Sequence, residues 1–285
     1  MTPAFVVQIT TPKNFLLNGL WFGPKKPKQV LIWIHGLTSS MFSMHSVVQS
    51  LVNKNTAVVV FNNRGHDSVS KLKSTRGISY EAGSAHERFT DCVDDIQGAI
   101  DFVRKTGVKR IFLAGHSTGC QKAVYWASKK GAGVKGIVLL APVSDYAGAL
   151  KRHGAAKLSR IASYARKLVK SGKPNEFIPA SLWPEELNDA QRFLSLYTPD
   201  SSEEIFTYID PNKKPRALQK VKLPILVLWA QEDEFADRPA SEATAWFEKH
   251  LKPSDTVLTV AGVGHGFKGG EGRVAKVVAE FMKER

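Results

Sequence analysis

Short, almost uninterrupted apolar runs alternate along the chain with longer stretches of helical periodicity. Residues 29–34 (Gln-Val-Leu-Ile-Trp-Ile), 57–61, 110–114, 136–141 and 225–229 are rich in β-branched and large apolar residues and lack polar alternation, the pattern of strands covered on both faces. Between and after them, residues 44–53, 87–105, 121–130, 240–250 and 273–285 carry apolar positions at helical spacing, with a further strand at 256–260. This alternation predicts an α/β fold with a mostly parallel central sheet and helices on both faces. Residues 5–9 and 15–22, joined by a Pro-Lys-Asn turn, predict an antiparallel opening pair.

After Pro142 the alternation stops. Residues 143–220 show helical stretches near 146–170 and 184–197 and no clear strand, so the chain divides into a core of residues 1–142 and 221–285 and a helical cap of residues 143–220. The segment 62–85 is rich in Gly, Ser and Lys; a loop of that length in a compact domain tends to be functional, and it is expected to border the site.

Composition changes this picture only modestly. With 285 residues, 43% of them hydrophobic, the chain can bury a full core. No apolar run approaches membrane-spanning length and the first residues lack a secretory pattern, so the expectation is a cytoplasmic protein with no membrane span. Cys92 and Cys120 lack metal-ligand spacing and read as free thiols of a reducing compartment. The net charge of +14 invites anionic partners, but the bases are spread without an aromatic-basic ladder, and no nucleic-acid partner is expected. Within the cap they concentrate in residues 151–173: Lys151, Arg152, Lys157, Arg160, Arg166, Lys167, Lys170 and Lys173. A solvated outer face is the expectation for these, ahead of an electrostatic rim.

The candidate chemistry centres on Gly115-His116-Ser117-Thr118-Gly119, which follows the strand at 110–114 and opens a helix. A Gly-x-Ser-x-Gly turn there puts the serine on a strained corner, which makes Ser117 a candidate nucleophile. A serine hydroxyl needs a base, and the base usually needs an orienting carboxylate. In open parallel sheets these are sought just beyond the carboxyl ends of strands. His265, in a glycine-rich turn after the last strand, is the best base. Asp233, a few residues past the strand at 225–229, is the best acid; Glu232 is the reserve, Glu234 is expected to be solvated, and Asp237 is close enough to the next helix to serve as its cap. His35 and His116 are assigned mainly structural roles.

In the order Ser117, Asp233, His265 the chain resembles the α/β-hydrolase superfamily over essentially its whole length. His35-Gly36-Leu37 is similar to the family's His-Gly-x turn, the segment from Asn62 to Ser68 to its Arg-Gly loop, and Gly264-His265 to its base loop. Gly-His-Ser-Thr-Gly-Cys-Gln is similar to the elbow of fungal siderophore esterases related to fusarinine C esterase. The resemblance implies an α/β-hydrolase fold with a helical cap and a serine esterase acting on a small-molecule ester. The oxyanion would be held by the backbone N–H groups of Leu37 and Thr118, with no metal or organic cofactor. Thioester hydrolysis, acyl transfer or carbon–carbon cleavage on the same residues, and a non-catalytic ligand receptor, stay open as alternatives. The cap should roof a mostly apolar pocket, with His66, His86, Tyr146 and Trp183 as candidate lining residues.

Overall fold

The computed structural model describes residues 3–285. Ten strands form one sheet: β1 (Ala4–Thr10), β2 (Phe15–Phe22), β3 (Gln29–Ile34), β4 (Thr56–Phe61), β5 (Ser70–Ser74), β6 (Ser79–Ala82), β7 (Arg110–His116), β8 (Ile137–Leu140), β9 (Ile225–Ala230) and β10 (Thr256–Val260). Their order is β10-β9-β8-β7-β3-β4-β2-β5-β6, with β1 on β2. The run from β4 through β3, β7, β8 and β9 to β10 is parallel. The opening pair is antiparallel as expected, Ala4 facing Phe22 and Thr10 facing Leu16.

Helices α1 (His45–Leu51) and α9 (Glu271–Lys283) cover one face of the sheet; α2 (Cys92–Lys105), α3 (Thr118–Lys129) and α8 (Ala240–His250) cover the other. Strand β3 shows why its sequence is apolar without alternation: Leu31 and Trp33 pack with α1 and α9, whereas Val30, Ile32 and Ile34 pack with α2 and α3. The chain moves outward from β3 to β4 and then returns to the opposite side of β3 with β7. That reversal opens a crevice at the carboxyl ends of β3 and β7, the place where ligands bind in sheets of this kind.

Four helices lie between β8 and β9: α4 (Asp145–His153), α5 (Ala155–Lys170), α6 (Ala190–Tyr197) and α7 (Arg216–Gln219). The single helix expected over 146–170 is broken at Gly154, whose φ of 79° is open to glycine but strained for other residues. The one expected over 184–197 begins only at Ala190, where the Asp189 side chain caps it by accepting the Arg192 N–H at 2.8 Å. Trp183, Phe193, Tyr197, Leu158 and Ile161 form a hydrophobic cluster inside this insertion. Ile205, Phe206, Tyr208 and Leu218 join the core on the α2–α3–α8 face instead, so the final part of the 143–220 segment packs as part of the sheet domain. The 62–85 segment also departs from a plain loop, because β5 and β6 pair as a hairpin that extends the sheet.

Candidate active site

Ser117 stands between β7 and α3 with φ 55° and ψ −127°, a conformation that costs a non-glycine residue about 1–3 kcal/mol. Its N–H donates to the Leu140 carbonyl at 3.0 Å and its carbonyl accepts the Cys120 N–H at 2.8 Å, so strand β8 and the first turn of α3 hold it. The flanking glycines follow from crowding. A Cβ on Gly115 would stand 2.3 Å from the Gly119 carbonyl oxygen, and one on Gly119 would stand 2.2 Å from that of Ile34. Only two glycines let helix α3 start this close to β7 and β3.

The loop after β10 brings His265 to the same end of the sheet. Its Nδ1 lies 2.9 and 3.0 Å from the two carboxylate oxygens of Asp233, whose side chain is fully buried. A proton on Nδ1 shared with that carboxylate leaves Nε2 as the basic nitrogen. Glu232 does not take this place. Glu234, expected to be solvated, accepts the backbone N–H of His265 at 2.8 Å and so anchors the loop. Asp237 pairs with Arg238 at 2.6 Å and does not cap α8. On the other side, His116 Nε2 donates to the His265 carbonyl at 2.9 Å, and the Phe235 ring meets the imidazole edge-on at 4.8 Å.

Ser117 and His265 share a cavity of about 310 Å³ with Leu37 and Phe235. Helix α3 begins at Thr118, so the Thr118 N–H lies in the first turn, where no intrahelical acceptor exists. Among the described residues the N–H of Leu37 likewise has no protein acceptor. The opposite wall comes from the insertion: Ser144, Asp145, Gly148 and Arg152.

None of His66, His86, Tyr146 and Trp183 is in that wall, which corrects the expectation for them. His66 is tied by Nδ1 to the Asn63 carbonyl (2.9 Å), and His86 Nδ1 lies 3.0 Å from Asp189. His86 lines a separate cavity of about 430 Å³ with Phe15, Tyr80 and Phe177. Tyr146 and Trp183 pack within or against the insertion's own cluster. Aromatic residues at helical spacing there serve the packing of a small helical unit, and the cavity takes its apolar lining from Leu37, Val143 and Phe235 instead, beside the polar Ser144, Asp145 and Arg152. The basic residues divide. Arg160, Arg166, Lys167, Lys170 and Lys173 are exposed as expected; Arg152 is exposed too, but it also lines the cavity. Spacing was the available signal: positions 145, 148 and 152 fall on one face of a helix.

Two buried histidines frame the site. Nδ1 of His35 lies 2.9 Å from the Gly36 carbonyl and Nε2 takes the Asn63 N–H at 3.3 Å, an arrangement that suits a neutral ring. Burial, then the Lys122 charge, pushes His35 down to about 3; burial, then His265, does the same to His116. Between the ordinary value of 6.5 and about 3, the unfolded chain binds these protons and the native one does not. Their stabilisation is therefore full above 6.5 and is lost as pH falls toward 3, by at most about 1.4 kcal/mol per pH unit for each ring. Glu204, pushed up to about 7 by burial, works in the opposite sense as pH falls from 7 toward its ordinary 4.5. Comparison with His35→Gln removes that common term. Urea midpoints at stepped pH should show the wild type losing ground to the variant below pH 6.5; parallel profiles would refute the assignment.

Among the described residues no cluster of three or more His, Cys, Asp or Glu is placed to hold a metal ion, and no helix is long and apolar enough to cross a membrane. Both cysteines are buried free thiols.

Comparison with known proteins places this geometry among relatives. A putative esterase/lipase of Mycoplasma genitalium is 27% identical over 138 residues, a match spanning 48% of this chain and 47% of that protein. An esterase of Pyrococcus furiosus superposes with a TM-score of 0.62 at 19% identity, covering 99% of this chain and 91% of its own. The siderophore hydrolase EstB of Aspergillus fumigatus does so with a TM-score of 0.68 at 14% identity, covering 99% and 98%. At these identities the structural likenesses speak for the fold. The model of the family described as serine aminopeptidase, S33, matches residues 25–269, a span that takes in β3, the Ser117 turn, Asp233 and His265, and the chain accordingly belongs to this family of α/β-hydrolases.

Proposed function

We propose that the protein is a serine esterase that cleaves a small-molecule carboxylic ester through an acyl-enzyme on Ser117. One observation carries this reading: a strained, glycine-flanked serine shares a cavity with a histidine whose Nδ1 is held by a buried carboxylate. His265 Nε2 takes the Ser117 proton as Oγ attacks the carbonyl carbon. Asp233 holds the imidazole tautomer and stabilises the imidazolium that forms. The negative charge that develops on the carbonyl oxygen is received by the N–H groups of Leu37 and Thr118, the latter at the positive end of α3. His265 then protonates the departing alcohol. In the second half, water loses a proton to His265 and attacks the acyl carbon, releasing the acid and restoring Ser117. The esterase names among the relatives support the choice of an ester.

A fluorophosphonate probe tests the nucleophile directly. Stoichiometric phosphonylation is expected on the peptide containing Ser117, slowed by a competing ester and abolished by denaturation. A folded protein that is unlabelled, or labelled elsewhere, would overturn the reading.

A further inference from the structure

The insertion's side of the cavity carries a guanidinium that has no ion-pair partner among the described residues. Asp145, Gly148 and Arg152 lie at i, i+3 and i+7 of α4 and form one stripe along the wall facing Ser117. Gly148 makes room in the middle of that stripe. A Cβ there would stand 3.1 Å from Nη1 of Arg152 and 3.2 Å from the Phe235 carbonyl oxygen, so the guanidinium lies across the glycine, at the edge of the space beside Phe235.

The other arginines near the site are occupied. Arg64 pairs with Asp94 and Asp95, Arg192 with Glu87 and Glu203, and Arg238 with Asp237; the adjacent Lys151 donates to the Ala236 carbonyl. Among the described residues Arg152 has no carboxylate within ion-pair distance and no hydrogen-bond acceptor. The Asp145 carboxyl, two turns away on the same stripe, is not within ion-pair distance of it and accepts from the Gln121 amide at 3.3 Å instead. Burial, then the Glu203 and Glu186 carboxylates, raise that carboxyl well above its ordinary range.

We propose that this cavity selects esters that carry a carboxylate in addition to the scissile bond, and that Arg152 is the residue that binds this carboxylate. The planar fork of a guanidinium matches a carboxylate through two parallel N–H···O bonds, a geometry that a surface lysine does not reproduce. The cavity, at about 310 Å³, is at the small end of ligand pockets and suits a compact acidic ester. This inference rests on the reading of Ser117 as nucleophile and adds the substrate class to it.

The test is the ratio of kcat/KM for charged over neutral esters. Two matched pairs place the charge on either side of the bond: p-nitrophenyl hemiglutarate against its methyl ester, and 4-acetoxybenzoate against its methyl ester. At least one charged ester should be preferred in the wild type. That preference should drop about 10–100-fold in Arg152→Gln, the scale of a lost charge-assisted pair. It should be partly retained in Arg152→Lys and unchanged in Lys167→Gln, on the exposed side of α5. Raising the salt from 0.05 to 0.5 M, in round numbers, should erode the same ratio, because screening shortens the reach of an exposed charge. If neutral esters are cleaved and neither charged ester is preferred, or Arg152→Gln leaves the ratio unchanged, this inference falls alone. If no ester of either charge is cleaved, the assignment of Ser117 falls and takes this inference with it.

Discussion

Ser117→Ala should abolish hydrolysis of a short p-nitrophenyl ester, with kcat falling on the order of 10⁶-fold, the loss seen when a serine nucleophile acting in concert with a histidine is removed. The variant should fold normally. Alanine keeps the Cβ, so the approach of Gly36, where a Cβ would stand 2.9 Å from that of Ser117, is undisturbed. The backbone bonds to Leu140 and Cys120 use main-chain atoms alone. The hydroxyl has no hydrogen-bond partner among the described residues whose loss would leave a buried group unpaired. Circular dichroism and the thermal midpoint should thus match the wild type while turnover disappears. Turnover that persists in pure variant protein would exclude Ser117 as nucleophile.

The second large effect is on stability, at the seam between sheet and insertion. Glu87 is buried against Lys122 at 2.5 Å and Arg192 at 3.1 Å, and Arg192 continues to Glu203 at 2.6 Å. All four side chains are at most 3% exposed. Burial alone would raise the Glu87 carboxyl, but the Lys122 and Arg192 charges outweigh it and hold it below the ordinary range. Glu87→Ala leaves two buried cations facing a single remaining carboxylate, Glu203. Removing one partner of a buried pair typically costs about 3–5 kcal/mol, which for a chain of this size lowers the thermal midpoint by roughly 10 °C. Glu87→Ala combined with Lys122→Met should recover part of the loss, since it restores the charge balance. A shift of under about 2 °C in the single variant would show that the network holds nothing together.

How far the sequence foretold this arrangement depends on the range of the interactions involved. The central strands were legible because burial on both faces leaves no room for polar residues, as β3 and β7 show. The Ser117 turn was legible because its glycines are demanded by contacts between near neighbours and one adjacent strand. Asp233 and His265 could be picked out by their positions after strands, and their side chains meet. The hairpin of β5 and β6 was hidden by its composition: Ser-Lys-Leu-Lys-Ser reads as loop, and it becomes strand only by pairing with β2. Arg152 was masked by its neighbours, because a basic run reads as a solvated face, and only its spacing from positions 145 and 148 marks the side that borders the cavity. The Glu87–Lys122–Arg192–Glu203 network was invisible because two of its ion pairs join residues 35 and 105 positions apart along the chain. The expected lining by Tyr146 and Trp183 failed for a related reason, since helical spacing marks a buried face without saying what buries it.

The self-contained aromatic cluster around Trp183 has a consequence for how the molecule fluctuates. That cluster shares no buried residue with the two layers that sandwich the sheet, which predicts that hydrogen exchange will show α4 to α6 opening separately from the sheet. On that expectation α4 to α6 loosen against the sheet at a cost to which the buried ion network contributes. Ser117 and the His265 loop lie on the sheet side of this division and Arg152 on the insertion side. Opening at the mouth would then leave Ser117 and His265 in register with each other while the guanidinium of Arg152 changes its distance to both.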